Sequence, residues 1–300
     1  MPDDKYLAQP PSACCFIGHI HAGEPRGVEV ELAGVQTYVT RPPTGVAPNG
    51  HIVLYYPDIW ALSNNAKLLM DGFAAAGYTA LGIDYFRDDP ISKYHANPGD
   101  PPPAGFDRKA WRDKHFSFAQ AHVPVWTAAV KAKYGTSETR YACVGYCFGA
   151  PFVLDQLAAA ETATAKEGEK QVKDKETNGD EDGDDDGDDD GNDGAGVVVS
   201  AGAVAHPSQL KAAHFEAARR PLFLSCAEHD RAFETEPRRQ AIDILMANKT
   251  PYHEQLFYNV SHGFAARGNL SDPYERWVKV QSLQGIINWF DFWLIRNHQK

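Results

Sequence analysis

The sequence predicts an α/β fold built on one mostly parallel central sheet, and three observations lead there. Short apolar runs of strand length recur at 51–56, 78–85, 140–144, 196–203 and 221–227. Stretches of helical length and pattern separate them, and strands that alternate with helices are the mark of crossover connections between parallel strands. Ahead of this alternation, Gly27 to Gly34 and Val35 to Arg41 alternate apolar and polar residues around Ala33-Gly34, which reads as an opening β-hairpin. The whole chain, 1–300, reads as one domain with a single foreign stretch inside it, residues 161–194.

Residues 1–26 look irregular, and Pro42-Pro43 ends the hairpin. The run His51 to Tyr56 lies between Asn49-Gly50 and Pro57-Asp58 and reads as a buried strand. Asn64 or Asn65 is suited to cap the next helix, which puts Leu68, Leu69 and Phe73 on one face and closes at Gly77. Tyr78 to Tyr85 is a second buried strand. Residues 86–110 are rich in Pro, Gly and Asp, and loops of that length usually serve as lids or binding loops. A helix is expected over Trp111 to Tyr134, broken or kinked at Pro124. Further on, Gly196 to Ala203, Pro221 to Ala227 and Tyr252 to Asn259 read as strands, and Ser208 to Arg219 and Pro237 to Asn248 as helices. A final helix, Tyr274 to Arg296, is expected to turn Trp277, Val280, Leu283, Ile286, Ile287, Phe290 and Trp293 inward.

Composition narrows the function classes. Apolar residues make up 43% of the chain, enough for a large core, yet no run of 18 apolar residues occurs, so no membrane span is expected. The opening Met1-Pro2-Asp3-Asp4-Lys5 is acidic and no apolar region follows, so no secretory or mitochondrial signal is expected. The five cysteines, Cys14, Cys15, Cys143, Cys147 and Cys226, are odd in number and lack metal-ligand spacing, as suits a reduced, cytoplasmic protein. Cys143 and Cys226 fall inside strand patterns as packing residues. The net charge of −11 is local: Glu161 to Gly194 holds 15 acidic and 4 basic residues, and the remainder is balanced. No basic stripe points to nucleic acid. The acidic stretch, with almost no large apolar residue, is expected to be disordered. Its Asp182, Asp184, Asp186, Gly187 register matches a calcium loop only as Asp/Gly repetition would, without flanking amphipathic helices. No metal and no cofactor is expected, and oligomeric state is open between a monomer and a weak dimer.

The chemistry centres on Gly145-Tyr146-Cys147-Phe148-Gly149, between a strand-like run and a helix-like one. This is the strand–turn–helix context of a G-x-S-x-G nucleophile elbow, with cysteine as the nucleophile. Pro151 falls in the first helical turn, where its missing N–H does no harm. The positive helix end then favours negative charge on the sulfur. Ligands of parallel α/β sheets lie outside the C-terminal strand ends. Asp230 and His262 each follow a later strand, in the chain order nucleophile, acid, histidine. The expected triad is therefore Cys147, Asp230 and His262. The oxyanion donors are expected to be the N–H of Phe148 and of Ile59.

These motifs, with Pro57-Asp58-Ile59-Trp60, Ile83-Asp84-Tyr85-Phe86-Arg87, Ala205-His206-Pro207-Ser208 and His262-Gly263-Phe264 followed by Arg267, resemble the dienelactone hydrolase family, especially its fungal branch. The resemblance covers the chain except the acidic stretch. It implies an α/β-hydrolase fold, a Cys-His-Asp triad, no cofactor, and a small lactone or ester as substrate. It further implies that Asp58, in the place of a family glutamate, holds the resting thiol, and that Arg87 and Arg267 clamp a substrate carboxylate. Trp60 and Phe264 are candidates for the pocket wall. Two alternatives share the same residues: a general short-chain carboxylesterase or thioesterase, and a catalytically silent binding protein of this fold.

Overall fold

The computed structural model describes residues 5–95, 97–158 and 199–298. The acidic stretch, expected to be disordered and remote from the chemistry, lies outside the described residues. The main sheet has eight strands: β2 (Val28–Leu32), β3 (Val35–Thr40), β4 (Ile52–Tyr56), β5 (Thr79–Ile83), β6 (Tyr141–Tyr146), β7 (Val199–Ala205), β9 (Leu222–His229) and β10 (Tyr252–Ser261). Their spatial order is β10-β9-β7-β6-β4-β5-β3-β2. The six strands from β10 to β5 are mutually parallel, while β3 and β2 join antiparallel at one edge. The expected hairpin is present, turning through Ala33 and Gly34 at φ 51° and 74°, and it extends the parallel sheet as its edge.

The helices are α1 (Asn64–Ala75), α2 (Arg108–Tyr134), α3 (Ala150–Ala158), α4 (Ala212–Ala217), α5 (Thr235–Ala247), α6 (Phe264–Arg267) and α7 (Pro273–Phe290). One sheet face is covered by α2, α3, α4 and α5, whose buried Trp126, Phe152, Phe215 and Leu245 share a core with Leu54 and Leu224. The other face carries α1 and α7, through Phe73, Ile286 and Phe290 against Val53 and Val144. Burying each such side chain contributes about 1.5–3 kcal/mol. Among the described residues no helix is long and apolar enough to cross a membrane.

Several local expectations are corrected. Pro124 does not break α2: the helix runs continuously from 108 to 134, because Val123, Trp126, Thr127 and Val130 are buried around it and packing outweighs one lost backbone bond. Asn64 and Asn65 do not cap α1, whose N-cap is Ser63. Their amides instead hold the N-terminal segment, Asn64 through the carbonyls of His21 and Gly23 and Asn65 through that of His19, and Asn65 also donates to the Ala266 carbonyl in α6. The stretch 208–219 is helical only over α4, preceded by a two-residue strand β8 (Leu210–Lys211). That strand pairs with β1 (Tyr6–Ala8), the first ordered piece of a segment that reads as irregular. The last helix is α-helical to Phe290 and continues as a π-helical turn over Asp291–Ile295, close to the expected end, but its Trp277 and Val280 are 52% and 55% exposed rather than inward. The 3.6-residue stripe is carried by Val278, Ser282, Ile286 and Phe290.

Candidate active site

The strand β6 ends at Tyr146, and one helical turn over Cys147–Gly149 leads into α3. Cys147 sits at φ 49°, a left-handed backbone that costs a non-glycine residue about 1–2 kcal/mol. The flanking glycines make that turn possible. A Cβ on Gly149 would collide with the Tyr56 carbonyl of the adjacent strand, and one on Gly145 would meet Gly149 backbone. Cys147 is thereby lifted to the C-terminal rim of the sheet. Phe148 N–H belongs to the first helical turn, where backbone donors lack intrahelical acceptors.

His262 and Asp230 reach the same rim from the ends of β10 and β9. His262 Nδ1 donates to both Asp230 carboxylate oxygens at 2.9 Å. Asp230 Oδ1 also accepts from the N–H groups of Ala232 at 2.8 Å and Phe233 at 3.2 Å, which fixes the carboxylate plane. Burial opposes charge on the Asp230 carboxyl, but the His262 imidazole and the Ala232 amide outweigh it and hold its pKa below the ordinary value. Burial likewise opposes the imidazolium, and the Asp230 charge overrides it, so the His262 pKa lies well above 6.5. With Nδ1 committed to the carboxylate, Nε2 faces the sulfurs.

The third party at this site is Cys15, which sequence reasoning treats only as one of two adjacent, unbridged thiols. Its Sγ lies 3.4 Å from Cys147 Sγ and 3.3 Å from His262 Nε2, and all three ligand atoms fall within 4.8 Å of one another. Ser208 is a second unforeseen neighbour: its Oγ is 3.5 Å from Cys147 Sγ, and its N–H donates to the Cys147 carbonyl at 3.1 Å. His206, buried, packs its ring edge-on to His262 at 4.9 Å. Burial, then the His262 charge, push its pKa well below the ordinary value. The sequence does carry a signal for the last two, in Ala205-His206-Pro207-Ser208 directly after a predicted strand.

Asp58 and Arg267 are brought together, but with each other. Both are buried, and an Arg267 Nη forms an ion pair with Asp58 Oδ2. The second Asp58 oxygen accepts from Trp60 N–H at 2.8 Å. Arg267 also donates to the carbonyls of Cys15 and Ile17, each at 3.2 Å, and Trp60 Nε1 donates to the Cys15 carbonyl at 3.2 Å. Burial brings the Arg267 pKa down to about 10. The Asp58 carboxylate, expected to hold the resting thiol, is thus engaged by Arg267 and the Trp60 N–H. Arg87, expected to clamp a substrate carboxylate, is exposed, at φ 54°, with its guanidinium 3.7 Å over the Phe118 ring. Ile59 is buried in the turn after β4. Phe264 packs against His206 and Phe257. Trp60 and Arg267 line a cleft of about 150 Å³ with His19, Ile20 and Asn65.

Comparison with known proteins agrees with this geometry. The model of the dienelactone hydrolase family matches residues 35–167 and 193–294, with its gap inside the acidic stretch. "Dienlactone hydrolase 1" of Gibberella moniliformis is 37% identical over 295 residues, covering 98% of each chain. "Dienlactone hydrolase 2" of the same fungus is 34% identical, covering 97% of this chain and 98% of its own. A solved structure described as a putative dienelactone hydrolase from Klebsiella pneumoniae superposes with a TM-score of 0.60 at 14% identity, over 88% of this chain and 98% of that one. The dienelactone hydrolase structure from Anabaena variabilis gives 0.54 at 13% identity, over 91% and 99%. At those identities the structures speak for the fold alone, an α/β-hydrolase-like sheet flanked by helices. With the family match across most of its length and two curated relatives above 30% identity, the chain belongs to the dienelactone hydrolase family and is a hydrolase of ester bonds.

Proposed function

We propose that the protein hydrolyses small lactones or esters through a Cys147 acyl-thioester, with Cys147, His262 and Asp230 as nucleophile, general base and orienting carboxylate. The observation that carries this reading is the His262–Asp230 pair at 2.9 Å, which leaves Nε2 3.3 Å from Cys15 Sγ and within 4.8 Å of the sulfur of Cys147, itself held at φ 49° on a helix N-terminus. His262 takes the thiol proton and the sulfur attacks the carbonyl. The N–H groups of Phe148 and Ile59 receive the oxyanion, a contribution of about 3–4 kcal/mol per donor. His262 returns that proton to the leaving alkoxide or enolate, which stays attached by its chain when the substrate is a lactone. The neutral imidazole then takes a proton from the water that attacks the thioester and returns it to the departing sulfur.

Arg267 supplies the selectivity for an anionic substrate. It is a buried guanidinium that already accommodates one carboxylate, Asp58, and a planar fork of this kind suits a second. A substrate carboxylate would compete with Asp58 for it. The same pair favours a second reading: with Asp58 neutralising Arg267, neutral short-chain esters meet no unpaired cation. A screen of lactones and p-nitrophenyl esters, with and without a free carboxylate, separates the two. Preference for the carboxylates that disappears in Arg267→Met supports the first reading. Equal rates on neutral esters support the second. Undiminished turnover in Cys147→Ala would remove both.

A further inference from the structure

We propose that Cys15, Cys147 and His262 together form a binding site for one thiophilic divalent cation of the Zn²⁺ class, occupied at the expense of the nucleophile. The three ligand atoms lie within 4.8 Å of one another and all three residues are buried. Metal–sulfur bonds of about 2.3 Å and metal–nitrogen bonds of about 2.0–2.1 Å at tetrahedral angles give edges of roughly 3.8 Å between sulfurs and roughly 3.5 Å from sulfur to nitrogen. The observed edges are 3.4 Å for Cys15 Sγ to Cys147 Sγ and 3.3 Å for Cys15 Sγ to His262 Nε2. A shift of a few tenths of an ångström opens these two edges to a metal, and the third, Cys147 Sγ to His262 Nε2, is within 4.8 Å. A disulfide between the same thiols would require contraction to about 2.05 Å, well over an ångström.

The surroundings are those of a metal-bound imidazole. His262 Nδ1 donates to Asp230, whose Oδ1 is itself held by two backbone N–H groups. A carboxylate behind the ligating ring fixes its orientation and raises its basicity. Cys15 is equally fixed. Its N–H donates to the Ser12 carbonyl at 2.9 Å, and its own carbonyl accepts from Trp60 and Arg267. Three protein ligands leave a fourth position for water or for Ser208 Oγ, which lies 3.5 Å from Cys147 Sγ. Binding exchanges the cation for the protons held on the two thiols and on His262 Nε2, and no oxidant or reductant is needed. Only the inhibitory consequence rests on the proposed hydrolase mechanism: a coordinated Cys147 sulfur cannot attack a carbonyl.

The test uses the full chain, stripped with a chelator and kept reduced, titrated with Cd²⁺ and with Zn²⁺. One equivalent of Cd²⁺ should bind with sulfur-to-cadmium charge-transfer absorption, and Zn²⁺ should abolish ester hydrolysis reversibly. Cys15→Ser should lose about half of that absorption and at least about a hundredfold in Zn²⁺ affinity, the upper end of what losing an outer-shell partner costs. Zn²⁺ inhibition of the hydrolysis it retains should shift by the same factor. Cys14→Ser should behave as the parent. Unchanged Zn²⁺ affinity in Cys15→Ser and Cys15→Ala, both verified as folded by circular dichroism, would overturn the site. So would the absence of stoichiometric Cd²⁺–thiolate absorption in the parent. Either failure would leave the nucleophile assignment standing, since that depends on Cys147→Ala alone.

Discussion

Replacing Asp230 by asparagine isolates the orienting role of the carboxylate. In the parent, Oδ1 accepts from Ala232 and Phe233 N–H and both oxygens face His262 Nδ1. An asparagine must keep its single oxygen on the two backbone donors, which places its NH₂ against Nδ1. The ring then accepts at Nδ1 and carries its proton on Nε2, the nitrogen that has to receive the thiol proton. In a serine hydrolase triad the same inversion costs about 10⁴ in kcat, or roughly 5.5 kcal/mol of barrier. A thiol is easier to ionise than an alcohol, so the loss expected here is about 10³-fold, near 4 kcal/mol. Steady-state hydrolysis of p-nitrophenyl acetate measures it, with urea unfolding as a control for the fold. A loss below tenfold in a folded Asp230→Asn protein would refute the tautomer argument.

Three further predictions test the scaffold. Arg267→Met should cost about 3–5 kcal/mol in urea unfolding, because it leaves the Asp58 charge buried and unpaired, and adding Asp58→Asn should restore most of that. An equal loss in the double variant would show that the pair is not coupled. Gly149→Ala should cost about 3 kcal/mol or more and displace Phe148 N–H, since its Cβ would strike strand backbone, whereas Gly34→Ala, with open space around it, should cost only about 1 kcal/mol for its φ of 74°. Similar losses at both positions, by chemical denaturation, would contradict the close-approach argument. His21 gives a pH dependence. Burial, then the Lys279 charge, lower its pKa from 6.5 to about 4 while its Nε2 donates to the Gly268 carbonyl at 2.8 Å. The unfolded chain therefore takes up this proton first, and stability present above pH 6.5 is lost as pH falls toward 4, by up to about 3 kcal/mol. Thermal melts across that window should show His21→Gln with a flatter profile than the parent; parallel profiles would remove His21 from the account.

Most of the sheet is legible in the sequence because its strands are buried on both faces and bounded by Gly, Pro or Asn. The elbow is legible for a different reason: Gly145 and Gly149 are demanded by backbone packing, which a local motif records. Asp230 and His262 follow from the rule that parallel strands present their C-terminal ends to one rim. The failures share a cause, since each turns on contacts between distant segments. Pro124 is tolerated because Trp126 and Val130 anchor its helix against the sheet. Trp277 and Val280 are exposed because α7 meets the core along a different stripe. Asp58 pairs with a residue more than 200 positions away, and Cys15 reaches a thiol 132 positions on, from a segment whose local pattern is blank. No periodicity encodes such meetings.

The central claim is that the sulfur of Cys147 carries the acyl group, and mass spectrometry of the trapped intermediate tests it most directly. Mixing the full chain with a p-nitrophenyl ester, quenching in acid within the burst and mapping the adduct should place one acyl group on the peptide containing Cys147, with none in Cys147→Ala. An acyl group on Cys15 or Ser208 instead, or a burst that persists in Cys147→Ala, would contradict the account.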